Sequence, residues 1–372
     1  MLSARTLLFT LACIGLLPLS ARAEAPRLDP FQPLLWSDGG EPRPARDESQ
    51  WQRRRESVLQ GMQLVMGPLP GEEKRSPLDV EVIEEELVDD AFVRRLITYQ
   101  SEPGSRTTAY LCVPKQLLAA DPAAKAARAP AVLCLHPTDN KIGHQVVVGL
   151  GGRANRQYAE ELTRQGYVTL SPSYPHLADY YPNLGKLGYV SGTMKAIWDN
   201  IRGVDLLTSL PYVDASHGVG AIGHSLGGHN AIYTAVFEPR IQVVVSSCGF
   251  DSYPDYYDGA ERNWYFGKGW CQVRYMPRMS DYRNRLGEIP FDFPELLACL
   301  APRHVFVNAP LHDGNFRAAS VDRCAAAANS VYELLGAKGR LVVRHPDCDH
   351  DFPQAMREEA YRTIDRVLRP RP

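Results

Sequence analysis

The chain has 372 residues and an ordinary globular composition, with 44% hydrophobic and 23% charged residues. Lysine and arginine total 41 against 43 acidic residues, so there is no basic excess to neutralise a phosphate backbone. This charge balance argues against nucleic-acid binding. A chain of this length can bury a large core, and we expect one domain with an insertion.

The first 23 residues predict a signal peptide. A basic residue, Arg5, precedes the apolar run 7–19, which is too short to cross a bilayer, and residues 21–23 have the small-x-small pattern of a cleavage site. Cleavage after Ala23 would export the chain to the periplasm or the medium, with no membrane span in the mature protein. A lipoprotein acceptor at Cys13 is the alternative, disfavoured by the short apolar stretch before it.

The segment 24–46 is rich in proline and polar residues, and we expect an extended arm before a domain at 47–372. From Asp47, apolar residues recur at helical spacing until Gly67-Pro68, which predicts a helix. The stretch 80–113 then changes to short apolar runs separated by turn residues. This pattern is typical of antiparallel strands.

After Pro130 the pattern becomes strand followed by helix, repeated to the end of the chain. Strands are predicted at 131–135, 167–170, 219–222, 241–246, 304–308 and 341–344. Helices are predicted near 154–165 and 192–210, from Ser225, and after each of the last two strands. The sequence therefore indicates an α/β fold with a mostly parallel sheet flanked by helices, and a cap-like insertion at about 250–300 after the sixth or seventh strand. Active sites of such sheets lie at the carboxyl ends of the strands.

The strongest chemical signal is the pentapeptide Gly-His-Ser-Leu-Gly at 223–227. It lies between an apolar strand and a helix-forming run, so Ser225 would occupy a sharp turn with its hydroxyl clear of the sheet. A bare G-x-S-x-G pattern occurs by chance, but the strand and helix around it favour a nucleophile.

A serine nucleophile needs a base and an acid that orients the base. Asp313 follows the strand 304–308, and His350 follows the strand 341–344, in the chain order serine, acid, histidine. The alternatives are Asp251 and Asp255 for the acid and His345 for the base. The three aspartates around His350, at 347, 349 and 351, could suggest a cation site, but solvated or helix-capping roles are favoured because no matching ligands appear nearby.

The oxyanion of a tetrahedral intermediate needs two backbone N–H donors. We expect one at Leu226, beside the nucleophile, and the other in the loop after the strand 131–135. Pro137 has no N–H, so Thr138 is the candidate, with Asp139 second.

Aromatic side chains are frequent in the insertion, and two interpretations stay open. They either form a substrate wall or pack the insertion against the sheet. The candidates for contact with substrate are Tyr174, Tyr180, Trp264 and Trp270. Seven cysteines follow Cys13 without metal-type spacing; Cys112 and Cys134 are expected in the core, and a disulfide is allowed among Cys248, Cys271, Cys299, Cys324 and Cys348.

Five motifs together resemble the dienelactone-hydrolase-like and acetyl-xylan-esterase-like branch of the α/β hydrolases. They are LHPT at 135–138, GYV at 166–168, GHSLGGHN at 223–230, APLHD at 309–313 and PDCDHDFP at 346–353. The resemblance runs from about Trp51 to the C-terminus. Dienelactone hydrolases use a cysteine nucleophile, whereas this chain has serine.

The resemblance implies a triad of Ser225, His350 and Asp313, no metal or organic cofactor, and ester hydrolysis through an acyl-enzyme. The expected function is a secreted serine esterase acting on carboxylic esters, including acyl esters of carbohydrate. A peptidase or amidase with the same triad is the alternative, and a non-catalytic binding protein of the same fold is the third possibility. The oligomeric state and the ester itself are left open.

Overall fold

The computed structural model describes residues 27–38, 40–118 and 127–370. The predicted signal peptide at 1–23 lies outside these residues. Among the helices in the described ranges, none combines the length and the apolar character needed to cross a bilayer.

The predicted arm begins the described chain with a small hairpin rather than a simple extended segment. Strands β1 (Leu35–Trp36) and β2 (Arg43–Pro44) pair antiparallel. Nearby, Arg27 forms an ion pair with Glu295, whose side chain is fully buried and also contacts Arg54. The arm is therefore attached to the body of the protein through buried charge.

Helix α1 (Glu48–Met66) confirms the first predicted helix. The Asp47 side chain caps the helix by accepting a hydrogen bond from the Gln50 N–H at 2.8 Å. The helix ends at Gly67, whose φ of +90° suits glycine.

A nine-stranded sheet forms the centre of the molecule, with the strands in the spatial order first, second, third, fifth, fourth, sixth, seventh, eighth and ninth. Counted along the chain, the first strand pairs antiparallel with the second, the second with the third, and the third with the fifth. The fifth strand pairs parallel with the fourth, and all the remaining neighbours pair parallel. The strands are β3 (Glu81–Val88), β4 (Phe92–Glu102), β5 (Ser105–Pro114), β6 (Ala131–Leu135), β7 (Val168–Pro172), β8 (Val219–His224), β9 (Ile241–Ser247), β10 (His304–Asn308) and β11 (Leu341–Arg344).

Helices cover both faces of the parallel part of this sheet. Along β6, Leu133 packs into one apolar core and Val132 into the other, because successive side chains of a strand point to opposite faces. One core contains α2 and α7, and the other contains α1, α3, α4, α5 and α6. The remaining helices are α2 (Tyr158–Arg164), α3 (Gly192–Ser209), α4 (Leu226–Phe237), α5 (Phe293–Cys299), α6 (Ala318–Leu334) and α7 (Gln354–Leu368).

The segment 250–300 connects β9, the seventh strand of the sheet, to β10. It contains five short 3₁₀ turns followed by α5, whose N-terminus has a capping box between Asp292 and Glu295. Most of its aromatic side chains are buried, including Tyr253 and Trp264. The insertion packs against the body of the domain.

The seven cysteines of the described residues are all free. Six are buried and Cys348 is partly exposed. The disulfide that the sequence allowed is therefore not formed among these residues.

Candidate active site

Ser225 occupies the turn between β8 and α4. Its φ of 54° and ψ of −121° lie in a region that residues with a side chain rarely adopt. The Ser225 N–H donates to the Ser247 carbonyl at the end of β9, at 2.7 Å, which holds the turn to the sheet. Strained backbone of this kind persists only where the surroundings determine it, and it is concentrated at functional sites.

The glycines of the pentapeptide permit this turn by close approach of the backbone. A Cβ on Gly223 would lie 2.1 Å from the Gly227 carbonyl carbon, and a Cβ on Gly227 would lie 2.0 Å from the Leu135 carbonyl oxygen. Both distances are far inside van der Waals contact. Only glycine fits at either position.

His350 and Asp313 contact each other at the carboxyl ends of β10 and β11. The His350 Nδ1 lies 2.9 Å from both carboxylate oxygens of Asp313. The Asp313 side chain is 1% exposed and the His350 side chain 20%. One Asp313 oxygen also accepts the N–H groups of Asn315 and Phe316, at 2.8 and 3.2 Å, so the carboxylate is fixed from two sides.

Ser225 and His350 line one cavity of about 480 Å³, together with the loop 137–141 that follows β6. Leu226 is the first residue of α4, so its N–H has no partner within the helix and lies at the positive end of the helix dipole. Thr138 lines the same cavity, and its hydroxyl lies 3.1 Å from the Tyr275 hydroxyl. Of the two predicted oxyanion donors, Thr138 therefore lines the cavity that contains the serine, and Leu226 follows the serine in the chain without being a lining residue.

The loop that carries His350 is held by contacts that the sequence did not reveal. Arg156, which is 5% exposed, forms an ion pair with Asp351 and donates to the His350 carbonyl at 3.2 Å. The Asn308 side chain donates to the Asp351 carbonyl at 2.9 Å. Burial opposes ionisation of Asp351, but hydrogen bonds from Arg156, the Phe352 N–H and Asn155 outweigh it and lower its pKa.

A second histidine, His224, packs against the candidate base with ring centroids 4.8 Å apart. Its Nδ1 lies 2.9 Å from the Ser247 hydroxyl. Burial lowers the pKa of His224 well below its ordinary value, so this ring is neutral at physiological pH. It adds no positive charge beside His350.

The competing residues lie in other contacts. His345 is bound to the Ala309 carbonyl at 2.7 Å and to Asp322 at 2.9 Å. Asp251 accepts the Arg317 N–H, and burial raises its pKa to about 8. Asp255 accepts the Ser320 hydroxyl at 2.6 Å. Among the described residues, none of the three contacts His350.

The four aromatic residues suggested as a substrate wall do not line the cavity. Tyr174 and Tyr180 are buried: the Tyr174 hydroxyl lies 3.0 Å from the Thr193 hydroxyl, and the Tyr180 hydroxyl donates to Asp199 at 2.8 Å. Trp264 is fully buried, and Trp270 stacks on the buried ring of His229. The geometry favours the packing interpretation for these side chains.

Cys248 lies beside His350 and Asp313. Its Sγ, the ring nitrogen of His350 and a carboxylate oxygen of Asp313 lie within 4.8 Å of one another, and no other trio of this kind occurs in the described ranges. The thiol contacts the Asp351 carbonyl at 3.3 Å, and burial raises its pKa well above the ordinary value. Because His350 and Asp313 are joined by a hydrogen bond, a metal ion bound to this trio would have to displace that hydrogen bond.

A family model for fungal glucuronyl esterase matches residues 178–336, which include Ser225 and Asp313 and end before His350. "Putative hydrolase YtaP" of Bacillus subtilis is 23% identical over 320 residues, covering 82% of this chain and 96% of that protein. A 4-O-methyl-glucuronoyl methylesterase of Wolfiporia cocos is 23% identical over 209 residues, or 51% of this chain and 49% of that protein.

Solved structures show the fold. A glucuronoyl esterase from Solibacter usitatus superposes with a TM-score of 0.68 at 21% identity, covering 92% of this chain and 98% of that one. An acetyl xylan esterase from Thermoanaerobacterium superposes with a TM-score of 0.53 at 16% identity, covering 84% and 92%. The predicted α/β-hydrolase fold is confirmed, and the predicted class, a carboxylic ester hydrolase similar to carbohydrate esterases, agrees with the family match and the relatives.

Proposed function

We propose that Ser225, His350 and Asp313 form the catalytic triad of a serine esterase acting on carbohydrate esters. The supporting observation is geometric. His350 is held at 2.9 Å by both oxygens of a buried carboxylate, and it shares one cavity with a serine in strained backbone. The assignment of nucleophile, base and acid to Ser225, His350 and Asp313 is what we propose.

In the acylation step the Ser225 oxygen attacks the ester carbonyl carbon while the Nε2 of His350 takes the hydroxyl proton. Asp313 accepts a hydrogen bond from the Nδ1–H group throughout, which fixes the tautomer with Nε2 free and stabilises the imidazolium that forms. Collapse of the tetrahedral intermediate breaks the bond to the alcohol oxygen, and His350 returns the proton to that oxygen. The products are free alcohol and an acyl group on Ser225.

Deacylation repeats these steps with water as the nucleophile. His350 takes a proton from water, the hydroxyl oxygen bonds to the acyl carbon, and the proton returns to the Ser225 oxygen as the acid leaves. In both steps the backbone N–H groups of Leu226 and Thr138 would donate to the oxyanion. One such donor contributes about 10²- to 10³-fold in rate.

The carbohydrate part of the proposal rests on the relatives. By their names, the glucuronoyl esterases among them act on esters of glucuronic acid, whereas the acetyl xylan esterase acts on acetyl esters of xylan. The chemistry at the carbonyl carbon is the same in both. We take the sugar-ester class as the proposal and leave the position of the sugar to experiment.

A substrate panel tests the proposal directly. Purified mature protein would be assayed on para-nitrophenyl acetate, acetylated xylan, the methyl ester of glucuronic acid and a peptide para-nitroanilide, with Ser225→Ala as the blank. We expect hydrolysis of at least one sugar ester that Ser225→Ala abolishes. Activity on the anilide alone would instead support the peptidase alternative.

A matched histidine pair tests the assignment of the base. His350→Ala should lower turnover by several orders of magnitude, whereas His345→Ala should leave it near the parent level, because His345 contacts Ala309 and Asp322 instead. The reverse pattern would show that the base was misassigned. Circular dichroism of both variants would separate loss of chemistry from loss of fold.

We also propose that the protein acts outside the cytoplasm, on the basis of the signal pattern at 1–23. N-terminal sequencing of the protein recovered from the periplasm or medium should begin at residue 24. Recovery of the uncleaved chain from the cytoplasm would contradict export.

A further inference from the structure

Three cationic side chains that have no ionic partner among the described residues lie at or beside the cavity that contains Ser225. Lys141 and Arg153 line the cavity and are exposed. Arg274 does not line the cavity, but its guanidinium donates at 2.7 Å to the side chain of Asn140, which does, and lies 5.1 Å from the Tyr275 ring. Within the part of the chain that the structure describes, no ion pair joins any of the three to a carboxylate.

The other charges at the cavity do not cancel this excess. Arg156 is neutralised by Asp351. Asp139 is the one carboxylate among the described lining residues, and one of its oxygens accepts the N–H groups of Lys141 and Ile142 at 2.8 and 2.9 Å. Among the described lining residues, the two unpaired cations Lys141 and Arg153 against the single anion Asp139 leave the cavity net positive, and Arg274 beside Asn140 adds to this charge.

Pairing each of these cations with a carboxylate would contribute little to folding because they are exposed, but leaving them unpaired around one cavity gives it a positive potential. Elsewhere on this protein arginines are commonly joined to carboxylates, as Arg164 is to Asp89 and Glu160. Clustered cations repel one another, and a concave, low-dielectric wall concentrates their field on whatever enters. The three residues also come from two separate segments, the loops after β6 and the insertion before α5.

We propose that Lys141, Arg153 and Arg274 form a cationic rim. This rim selects ester substrates that carry a further anionic group near the scissile bond. The chemical class is an acidic sugar ester, bearing either free carboxylates or sulfates. The rim would attract the substrate and orient it, and it takes no part in bond making. This inference rests on the proposed esterase function.

Three acetyl esters of equal size test the proposal: para-acetoxybenzoate, para-acetoxybenzenesulfonate and the neutral para-acetoxybenzamide. Each kcat/KM would be divided by the rate of hydrolysis of the same ester by hydroxide, which removes the difference in leaving group. A second pair, para-nitrophenyl adipate monoester and para-nitrophenyl hexanoate, moves the carboxylate to the acyl side. We expect an anionic-to-neutral preference of about tenfold in at least one series, and the larger of the carboxylate and sulfonate values identifies the anion.

Variants locate the preference. Arg153→Gln and Lys141→Gln should each lower the anionic-to-neutral ratio by about threefold, and Arg153→Glu should lower it further. The matched control is Arg362→Gln, an exposed arginine of α7 that does not line the cavity, and it should leave the ratio unchanged. In the parent the ratio should also fall in about 1 M salt, where the Debye length is about 3 Å.

Two failures are distinguishable. If Ser225→Ala hydrolyses all the esters as fast as the parent, the esterase proposal fails and this inference with it. If hydrolysis depends on Ser225 but both series show no anionic preference, or Arg362→Gln changes the preference as much as Arg153→Gln, the esterase stands and the cationic rim is overturned.

Discussion

Asp313→Asn isolates the electrostatic part of the proposed triad. Asparagine has nearly the same shape, and its carbonyl oxygen can still accept the N–H groups of Asn315 and Phe316, so the fold should survive. What the substitution removes is the negative charge that lies 2.9 Å from Nδ1 through both oxygens. The amide N–H₂ group is a donor and cannot accept a hydrogen bond from the Nδ1–H group, so the substitution also favours the wrong histidine tautomer.

The size of the effect follows from the geometry. When His350 becomes positive during acylation, its charge centre lies about 4 Å from that of the carboxylate, and with an effective dielectric constant of about 20 the attraction is about 4 kcal/mol. Losing it corresponds to about 10³-fold in kcat, and the tautomer penalty brings the expected loss to about 10³- to 10⁴-fold.

The assay is kcat for para-nitrophenyl acetate, with the melting temperature measured on the same samples. Asp347→Asn is the matched control, since this aspartate belongs to the same loop as His350 but is 84% exposed and contacts His312. It should retain activity. An Asp313→Asn enzyme that keeps more than about a tenth of parental kcat, or an Asp347→Asn enzyme that loses as much, would refute the electrostatic reasoning.

Three further predictions concern stability and the thiols. Gly227→Ala should unfold at lower temperature and lose activity, because its Cβ would meet the Leu135 oxygen at 2.0 Å, whereas Gly287→Ala, with open space around it, should do neither; equal melting temperatures would contradict this. A double-mutant cycle of Arg156→Gln and Asp351→Asn should give a coupling of about 1 kcal/mol in urea unfolding. Because the folded pKa of Asp351 is lowered, this contribution is present above the unfolded pKa and lost as pH falls through the folded pKa, so a coupling that persists at acid pH would argue against the ion pair. Ellman's reagent should react slowly with one thiol, Cys348, in the native protein and rapidly with all seven described thiols in urea; fewer thiols after unfolding would indicate a disulfide.

The parts of the site that follow strand ends were predictable from the sequence. Ser225 directly follows β8, and Asp313 and His350 lie in the loops after β10 and β11; strand periodicity is a local property that a single sequence displays. The close approach at Gly227 was likewise foreseeable, since a sharp turn between strand and helix leaves no room for a Cβ.

Contacts between distant segments were not predictable in this way. The ion pair that holds the histidine loop joins Arg156 to Asp351, 195 residues apart, and neither residue belongs to a recognisable local pattern. Composition also could not distinguish an aromatic side chain buried in the core from one that lines the cavity, because the same residue types occur in both places. Trp270 illustrates this, since its ring stacks on His229 rather than facing the cavity.

One helix boundary and one small hairpin differ from the sequence prediction for physical reasons. Helix α2 begins at Tyr158 rather than near 154, after a glycine pair at 151–152 that adopts positive φ angles. The hairpin of β1 and β2 escaped prediction because each strand has only two residues, too few to display a period.

Covalent trapping tests the identity of the nucleophile most directly. The mature protein would be treated with a fluorophosphonate, digested and mapped by mass spectrometry. The account predicts one stoichiometric label on Ser225, formed slowly or not at all in His350→Ala. A folded, active enzyme that carries the label on another residue, or hydrolyses esters while Ser225 stays unlabelled, would contradict it.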